Sequence, residues 1–388
     1  MIHSMFRNFL CAAFLLLQMN WANAQVALPI IRSVPEDALL ALLEKGKFAE
    51  LGQKLQSLQS AYAADYSTEN DVHKAFYQFY RVDPKVGLSL DKWVALQPKD
   101  AMAHLARGMY RTKMGWASRG GKFALATKGS QFSNMAAWFA AAKTDLKLAM
   151  KIDPSLVQTY CYLIEIDMTE GHKHTSALYD QALKINPNSF IAREFYLHSQ
   201  LPRWGGSYEA MRVTVLNSKP FYGKSPRLEA LEGREAADRG ELAAYREDYQ
   251  TALKHYSVAM PKGDFWFTNQ SYGEALAATG NHASAIEQFS RVVRDKPGYP
   301  RAWWLRAISY KALRQFPEAL ADINYAIKIE PQDAETIAFR GSIYGITGML
   351  ELALRDFEMA AKIDPSDQDY PDFVLKAKNA ILQAKNGR

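Results

Sequence analysis

No stretch of this chain of 388 residues sustains the apolar/polar alternation of a β-strand; its apolar positions recur at helical spacing. The second half adds a longer period. Ala285, Ala319 and Ala353 stand 34 residues apart, as do Phe289, Ile323 and Phe357, and then Val292, Ala326 and Ala360. Ahead of them Gly273, Ala307 and Gly341 keep the same period, each followed three residues later by a bulky side chain, Leu276, Tyr310 or Tyr344. Small residues at a fixed place let two helices approach closely, and bulky ones fill the space between successive helical pairs. Pro297, Pro331 and Pro365 close each unit, since proline cannot continue a helix. Gly280 and Gly348 fall where the turn inside a unit belongs, with Arg314 at the equivalent place in the middle unit. The pattern predicts three helical hairpins over 266–367 and a polar-faced helix over 368–388 that caps the stack.

The period continues upstream in weaker form. Pro154, Pro187 and Pro220 are 33 apart, with Ala149, Ala182 and Val215 five residues before them. Leu163 and Tyr196 stand where a small residue is expected, which predicts hairpins with altered packing. Ala252, Tyr256 and Ala259 keep repeat-like spacing in a linking hairpin over 223–265. Pro98 and Pro154 are 56 apart, so one unit carries about 22 extra residues. The surplus falls near 112–133, rich in Gly, Ser, Thr and Lys and without a helical stripe. A loop inserted there is expected, and loops of that length in compact arrays are often functional. Residues 35–66 and 69–97 each read as a hairpin, turning near Gly46 and at Asp83-Pro84. The expected fold is an all-α solenoid of antiparallel helical hairpins, with the insertion in an N-terminal domain spanning 25–222.

The three regular units resemble tetratricopeptide repeats. That resemblance implies that their first helices line a concave face where family members bind peptides. Phe267, Gln270 and Glu274 would lie on it, followed by Arg301, Trp304, Ile308 and Lys311. Family members that grip a C-terminal carboxylate use paired Lys and Asn, whereas this chain has Gln270 with Glu274 and Trp304 with Ile308. The expectation is therefore a groove with aromatic anchors and a basic flank, and no carboxylate clamp. The N-terminal half carries Lys47-Phe48-Ala49-Glu50-Leu51, Leu58-Gln59-Ser60-Ala61-Tyr62, Ala106-Arg107-Gly108, Gly115-Trp116, Arg119-Gly120 and Pro202-Arg203-Trp204-Gly205-Gly206-Ser207, in that order. Over 35–220 it resembles an uncharacterised bacterial domain family commonly joined to such repeats, with the PRWGGS string as the most specific element. The resemblance implies no activity.

Two features of this half are candidates for chemistry. In the PRWGGS string Pro202 ends a helix, Gly205 and Gly206 permit positive φ, and Ser207 caps the next helix. A turn needs neither Arg203 nor Trp204, and an arginine beside an indole either stacks on it or presents a cation and an aromatic surface to a ligand. The insertion is basic, with Arg111, Lys113, Arg119, Lys122 and Lys128 and no acidic residue over 111–143. Backbone N–H groups near Gly120-Gly121 suit an anion. A phosphate-binding P-loop is excluded: the spacing from Gly115 to Lys122 is wrong, Phe123 replaces the hydroxyl residue, and no strand precedes it. A ligand-binding or enzymatic module here requires the insertion and the turn to meet in one pocket with Arg107, Arg119, Arg203 and Trp204, the repeats serving as docking arm.

Composition narrows the rest. Residues 1–24 read as a secretory signal, with Arg7, an apolar run from Phe9 to Leu17 and Ala22-Asn23-Ala24 as the cleavage pattern. The run is too short to span a bilayer, so cleavage after Ala24 and a periplasmic or secreted protein without a permanent membrane span are expected. Losing Arg7 lowers the formal charge of +6 by one. Such an excess is too slight for nucleic acid, whereas an anionic envelope polymer would suit the basic insertion. Cys11 leaves with the signal, and Cys161 lies in an apolar stretch that predicts a buried, inert thiol. His172 and His174 project about 200° apart on a helix, which excludes chelation from one face, and they read as a solvated pair in a turn. Neither G-x-S-x-G nor H-E-x-x-H occurs, and no cofactor or metal is implied. The expectation is a non-enzymatic scaffold in the bacterial envelope, bound to a protein or peptide partner.

Overall fold

The computed structural model describes residues 38–120, 127–263 and 266–386; the signal segment and Gly121, Lys122 and Phe123 lie outside them. Among the described residues there are nineteen α-helices, short 3-10 turns and no strand, the all-α architecture that the periodicity predicts. They divide into two compact units, 38–275 and 276–386.

The first unit opens with α1 (Ala38–Glu44), α2 (Phe48–Ala64), α3 (Glu69–Tyr77) and α4 (Pro84–Leu96). Residues 69–97 do form two helices, but α3 packs chiefly on α2, and α4 on α1 and α5 (Ala101–Arg119). Next come α6 (Gly129–Ile152), α7 (Val157–Asp167), α8 (Thr175–Ile185), α9 (Phe190–Ser199) and α10 (Tyr208–Ser218). The pair α11 (Arg234–Tyr245) and α12 (Tyr249–Ala259) follows, and α13 (Trp266–Ala278) runs across the division. Cys161 is buried on α7, and burial pushes its thiol pKa up, as expected of an inert residue. Glu69 of α3 reaches across to the start of α9. It accepts the backbone N–H groups of Phe190 and Ile191 at 2.9 and 3.2 Å, and the Ser189 hydroxyl also donates to it.

The expected loop at 112–133 is mostly helix. Measured against the 13- and 14-residue helices of a regular unit, α5 has 19 residues and α6 has 24. Glycine explains why no apolar stripe shows. A Cβ on Gly108 would come within 2.8 Å of the Leu146 side chain, and one on Gly115 within 2.4 Å of the Phe139 ring. At these points α5 offers bare backbone to apolar side chains of α6, so these positions of α5 carry no hydrophobic letter.

The second unit holds α14 (His282–Asp295), α15 (Pro300–Ala312), α16 (Phe316–Ile329), α17 (Ala334–Ile346), α18 (Leu350–Ile363) and α19 (Asp369–Asn386). The period of 34 is kept by the starts of α15 and α17 and of α16 and α18. Phe289, Ile323 and Phe357 are all buried. The turns inside the hairpins pass through Gly280, Arg314 and Gly348 at φ of 83°, 61° and 79°, so the middle unit places an arginine in the left-handed region. In α19, Tyr370 and Ala377 are buried and the Phe373 ring lies 5.4 Å from that of Phe357.

One polar device recurs in both units. Arg306 of α15 grips Asp322 of α16 with two bonds of 2.7 Å and donates a third, of 3.0 Å, to Ser290 of the preceding helix. Arg340 does the same with Asp356 and Asn324, 34 residues on. Arg107 of α5 repeats it with Asp145 of α6 and Asp91 of α4. In each case the arginine stands nine residues after the proline that opens the unit, and the aspartate nine before the one that closes it. The planar guanidinium fork matches a carboxylate bidentately while a third N–H reaches the previous hairpin. Arg107, whose place beside the insertion suggested a ligand contact, is thus engaged as a structural clamp by Asp91 and Asp145.

Candidate functional site

The residues singled out in the sequence are divided between the two units. In the N-terminal one, Pro202–Trp204 make a 3-10 turn after α9. Gly205 takes φ +90°, as expected, but Gly206 is needed for another reason: a Cβ there would lie 2.1 Å from the Gln200 carbonyl oxygen. Ser207 accepts the Ala210 N–H and caps α10. His172 is not a solvated turn residue, because its Nε2 donates to the Trp204 carbonyl; His174 instead faces Asp167 at 3.1 Å. Held in this way, Trp204 meets Trp116 of α5 edge to face with ring centroids 5.7 Å apart, and its Nε1 is buried without a hydrogen-bond partner among the described residues.

The insertion and the PRWGGS turn thus touch, but the expected cations are engaged elsewhere. Arg107 lies about 13 Å down α5 from Trp116. Arg203 is tied to Asp238 and Glu241 on α11, so the turn presents the indole without a free guanidinium. Arg119 lies 6.0 Å from the Phe132 ring at the end of α5.

The centre of this face is a residue that the sequence reading passed over, Glu165 of α7. Its Oε1 accepts Nε1–H of Trp116 at 2.7 Å and the Tyr80 hydroxyl at 3.0 Å, and its other oxygen has no hydrogen bond among the described residues. Burial pushes its pKa up to about 7 with help from Glu194, against the two hydrogen bonds and the nearby Lys113. Aromatic rings run past it, with centroid spacings of 5.3 Å for Tyr77–Tyr80, 5.7 Å for Tyr80–Tyr162 and 5.3 Å for Tyr162–Phe195. Lys113 holds its ammonium 5.6 Å from the centre of the Tyr80 ring. The one hint in the sequence was an acidic residue inside the apolar run Leu163-Ile164-Glu165-Ile166. Nearby His198 stays neutral, since burial and the charges of Arg234 and Arg203 press its pKa down to about 3. Of the groove residues proposed on α13, Phe267 lies 4.1 Å under the Arg234 guanidinium, and Gln270 donates to Glu274 at 3.1 Å.

In the C-terminal unit, Arg301 lies 4.9 Å from the Trp304 ring centre, and Trp304 is buried 6.0 Å from Phe339 of α17. The Lys311 ammonium lies 4.8 Å from the Phe339 ring centre and donates to the Ser342 hydroxyl at 2.9 Å. Burial lowers its pKa to about 8, and no carboxylate stands within ion-pair distance among the described residues. This face does combine aromatic rings with cations, although Trp304 packs between the helices and does not project as an anchor. Among the described residues no group of three or more His, Cys, Asp or Glu side chains is placed to hold a metal, and no helix is long and apolar enough to cross a membrane.

The Tetratricopeptide repeat family model matches residues 231–300 and 272–334. This stretch carries tetratricopeptide repeats. The match reaches back over α11 and α12, one hairpin earlier than the regular period suggested. Hsp70-Hsp90 organizing protein 3 of Arabidopsis thaliana is 26% identical over 126 residues, 32% of this chain and 21% of that protein. The wheat (Triticum aestivum) Hsp70-Hsp90 organizing protein is 25% identical over the same length, so the chain spans about a fifth of these curated relatives. Among solved structures, the first such repeat domain of Spaghetti (RPAP3), bound to the HSP90 peptide SRMEEVD, has 21% identity and a TM-score of 0.29, covering 30% of this chain and 93% of that one.

Proposed function

We propose that the chain is an exported scaffold whose tetratricopeptide repeats bind a protein or peptide segment in the bacterial cell envelope, without catalysing a reaction. The observation that carries this reading is Lys311, an ammonium kept in the groove between α15 and α17 at a desolvation cost and with no carboxylate partner among the described residues. A segment bearing an acidic group would supply the missing counter-charge, while Phe339 and the Arg301–Trp304 pair offer apolar and cation–π contact. The match of the repeat family supports a binding role, and residues 1–24 support export. The likeness of 35–220 to the PRWGGS domain family adds no activity to this reading.

The test is crosslinked capture of the 25–388 form from its own envelope, with bound proteins identified by mass spectrometry. Lys311→Met keeps the packing and removes the charge; Trp204→Phe perturbs only the other face. A partner lost with Lys311→Met and kept with Trp204→Phe is the expected result. A partner that survives Lys311→Met, or the absence of any partner, sinks the proposal.

A further inference from the structure

We infer that the N-terminal unit binds an organic cation, an ammonium group on an alkyl chain, at the second oxygen of Glu165, beside the rings of Tyr80 and Trp116. Both groups that anchor Glu165 are neutral, a phenol at 3.0 Å and an indole at 2.7 Å, and both hold the same oxygen. They fix the side chain without neutralising it, the nearby Lys113 offsets only part of the cost of burial, and the second oxygen accepts no hydrogen bond among the described residues. A half-buried carboxylate left in that state gains most from a cation, because the low local dielectric strengthens the pairing.

The surrounding rings select the same kind of ligand. Aromatic faces attract ammonium groups through their quadrupole. The Tyr80 face already receives the Lys113 ammonium at 5.6 Å, and Tyr162 and Phe195 continue the wall. An anion would meet the fields of Glu165 and Glu194 together, while a neutral ligand would add nothing to the partial compensation that Lys113 supplies. The cation can be a free amine or a lysine side chain of a partner. The site lies wholly within 38–275 and does not depend on the groove at Lys311.

Calorimetric titration of the purified chain tests this with n-butylammonium, N-acetyl-lysine methylamide, n-butanol and butyrate. Saturable binding of an amine at pH 8 is expected, with no heat from butanol or butyrate. Butylammonium alone would identify a free amine as the source, and the lysine derivative alone a protein side chain. Affinity should fall about tenfold from pH 8 to pH 6, as a carboxyl titrating near 7 takes up its proton. The other ionisable groups coupled to it are Lys113, Tyr80, Tyr162, Cys161 and Glu194, and they are left intact in the variants used. Glu165→Gln should weaken binding at least tenfold; Trp116→Phe, which keeps a ring and removes the donor, should weaken it a few fold. Cooperative melting well above the titration temperature checks that both variants are folded. Equal binding of butanol, binding of butyrate in place of the amines, an unaffected Glu165→Gln protein, or no amine binding at all overturns the inference.

Discussion

Asp145→Ala asks how much the N-terminal clamp holds. The Asp145 side chain is 2% exposed and accepts Nδ1 of His104 at 3.1 Å, Nε and Nη2 of Arg107 at 2.8 and 2.7 Å, and Nη1 of Arg111 at 2.8 Å. Truncation takes two bonds from Arg107, one from Arg111 and one from His104, whose Nε2 keeps the Pro98 carbonyl at 3.0 Å. Asp91 still receives one N–H from each arginine, at 3.0 and 3.2 Å, but it is 56% exposed and screened by water. Breaking one side of a buried ion pair costs about 3–5 kcal/mol, and the residual Asp91 contacts place this case near 4. Asp356→Ala provides the internal comparison. There a single arginine loses two bonds and keeps Asn324 at 2.8 Å, so about 2–3 kcal/mol is expected. Urea unfolding followed by hydrogen exchange and mass spectrometry reads each unit by itself. The larger loss should be confined to 38–275 and the smaller to 276–386. A loss for Asp145→Ala below that for Asp356→Ala would refute the reasoning, since number of donors and burial would then not set the strength of the clamp.

The pH dependence follows from the same contacts. Burial pushes the Asp145 pKa up, but the donors outweigh it and the net shift is downward. Its stabilisation is therefore complete above the ordinary aspartate value of about 3.8 and is lost as pH falls through the lower folded one, visible as early acid unfolding of the N-terminal unit. Glu165 has the opposite sign: with a folded pKa of about 7, its contribution is greatest below about 4.5 and declines as pH rises to 7, a slope that Glu165→Gln should abolish in melts across that window. Arg314→Gly should stabilise the C-terminal unit by about 1 kcal/mol by relieving a left-handed backbone, and Gly348→Ala, in open space, should cost about as much; equal melting of both variants and wild type would refute the strain argument. Glu69→Ala should destabilise the N-terminal unit by about 3 kcal/mol, with exchange of the Phe190 and Ile191 amides accelerating first.

What the sequence made legible was whatever repeats. Alanines, prolines and the turn positions 280, 314 and 348 keep one period because each solves the same local problem in every unit, and so the hairpins could be placed from the letters alone. The extended hairpin of α5 and α6 was hidden because its contact runs through Gly108 and Gly115, which leave no apolar stripe. Arg107 and Arg203 looked available because Asp91, Asp145, Asp238 and Glu241 lie 16 to 38 residues away in sequence. Glu165 was missed for a related reason: its neighbours Tyr80 and Trp116 are 85 and 49 residues distant, and nothing local marks a carboxylate that only folding encloses.

The clamp also bears on how such a chain can change its length. Ser290 occupies, in the unit before α15, the place that Asn324 occupies before α17, and both present an oxygen to the third arm of an arginine. Excising 300–333 would join Tyr299 to Ala334 and bring Arg340 to the Ser290 hydroxyl with Asp356 still in its grip. In-frame loss or duplication of this segment would leave the arginine clamp intact, because each of its partners is replaced by its own counterpart. No such shortcut exists upstream, where Glu69 is strapped to Phe190 across 121 residues and any unit removed between them would pull that contact apart. The clamps of the C-terminal unit are thus modular, whereas the N-terminal unit is tied together across its length by the Glu69 strap.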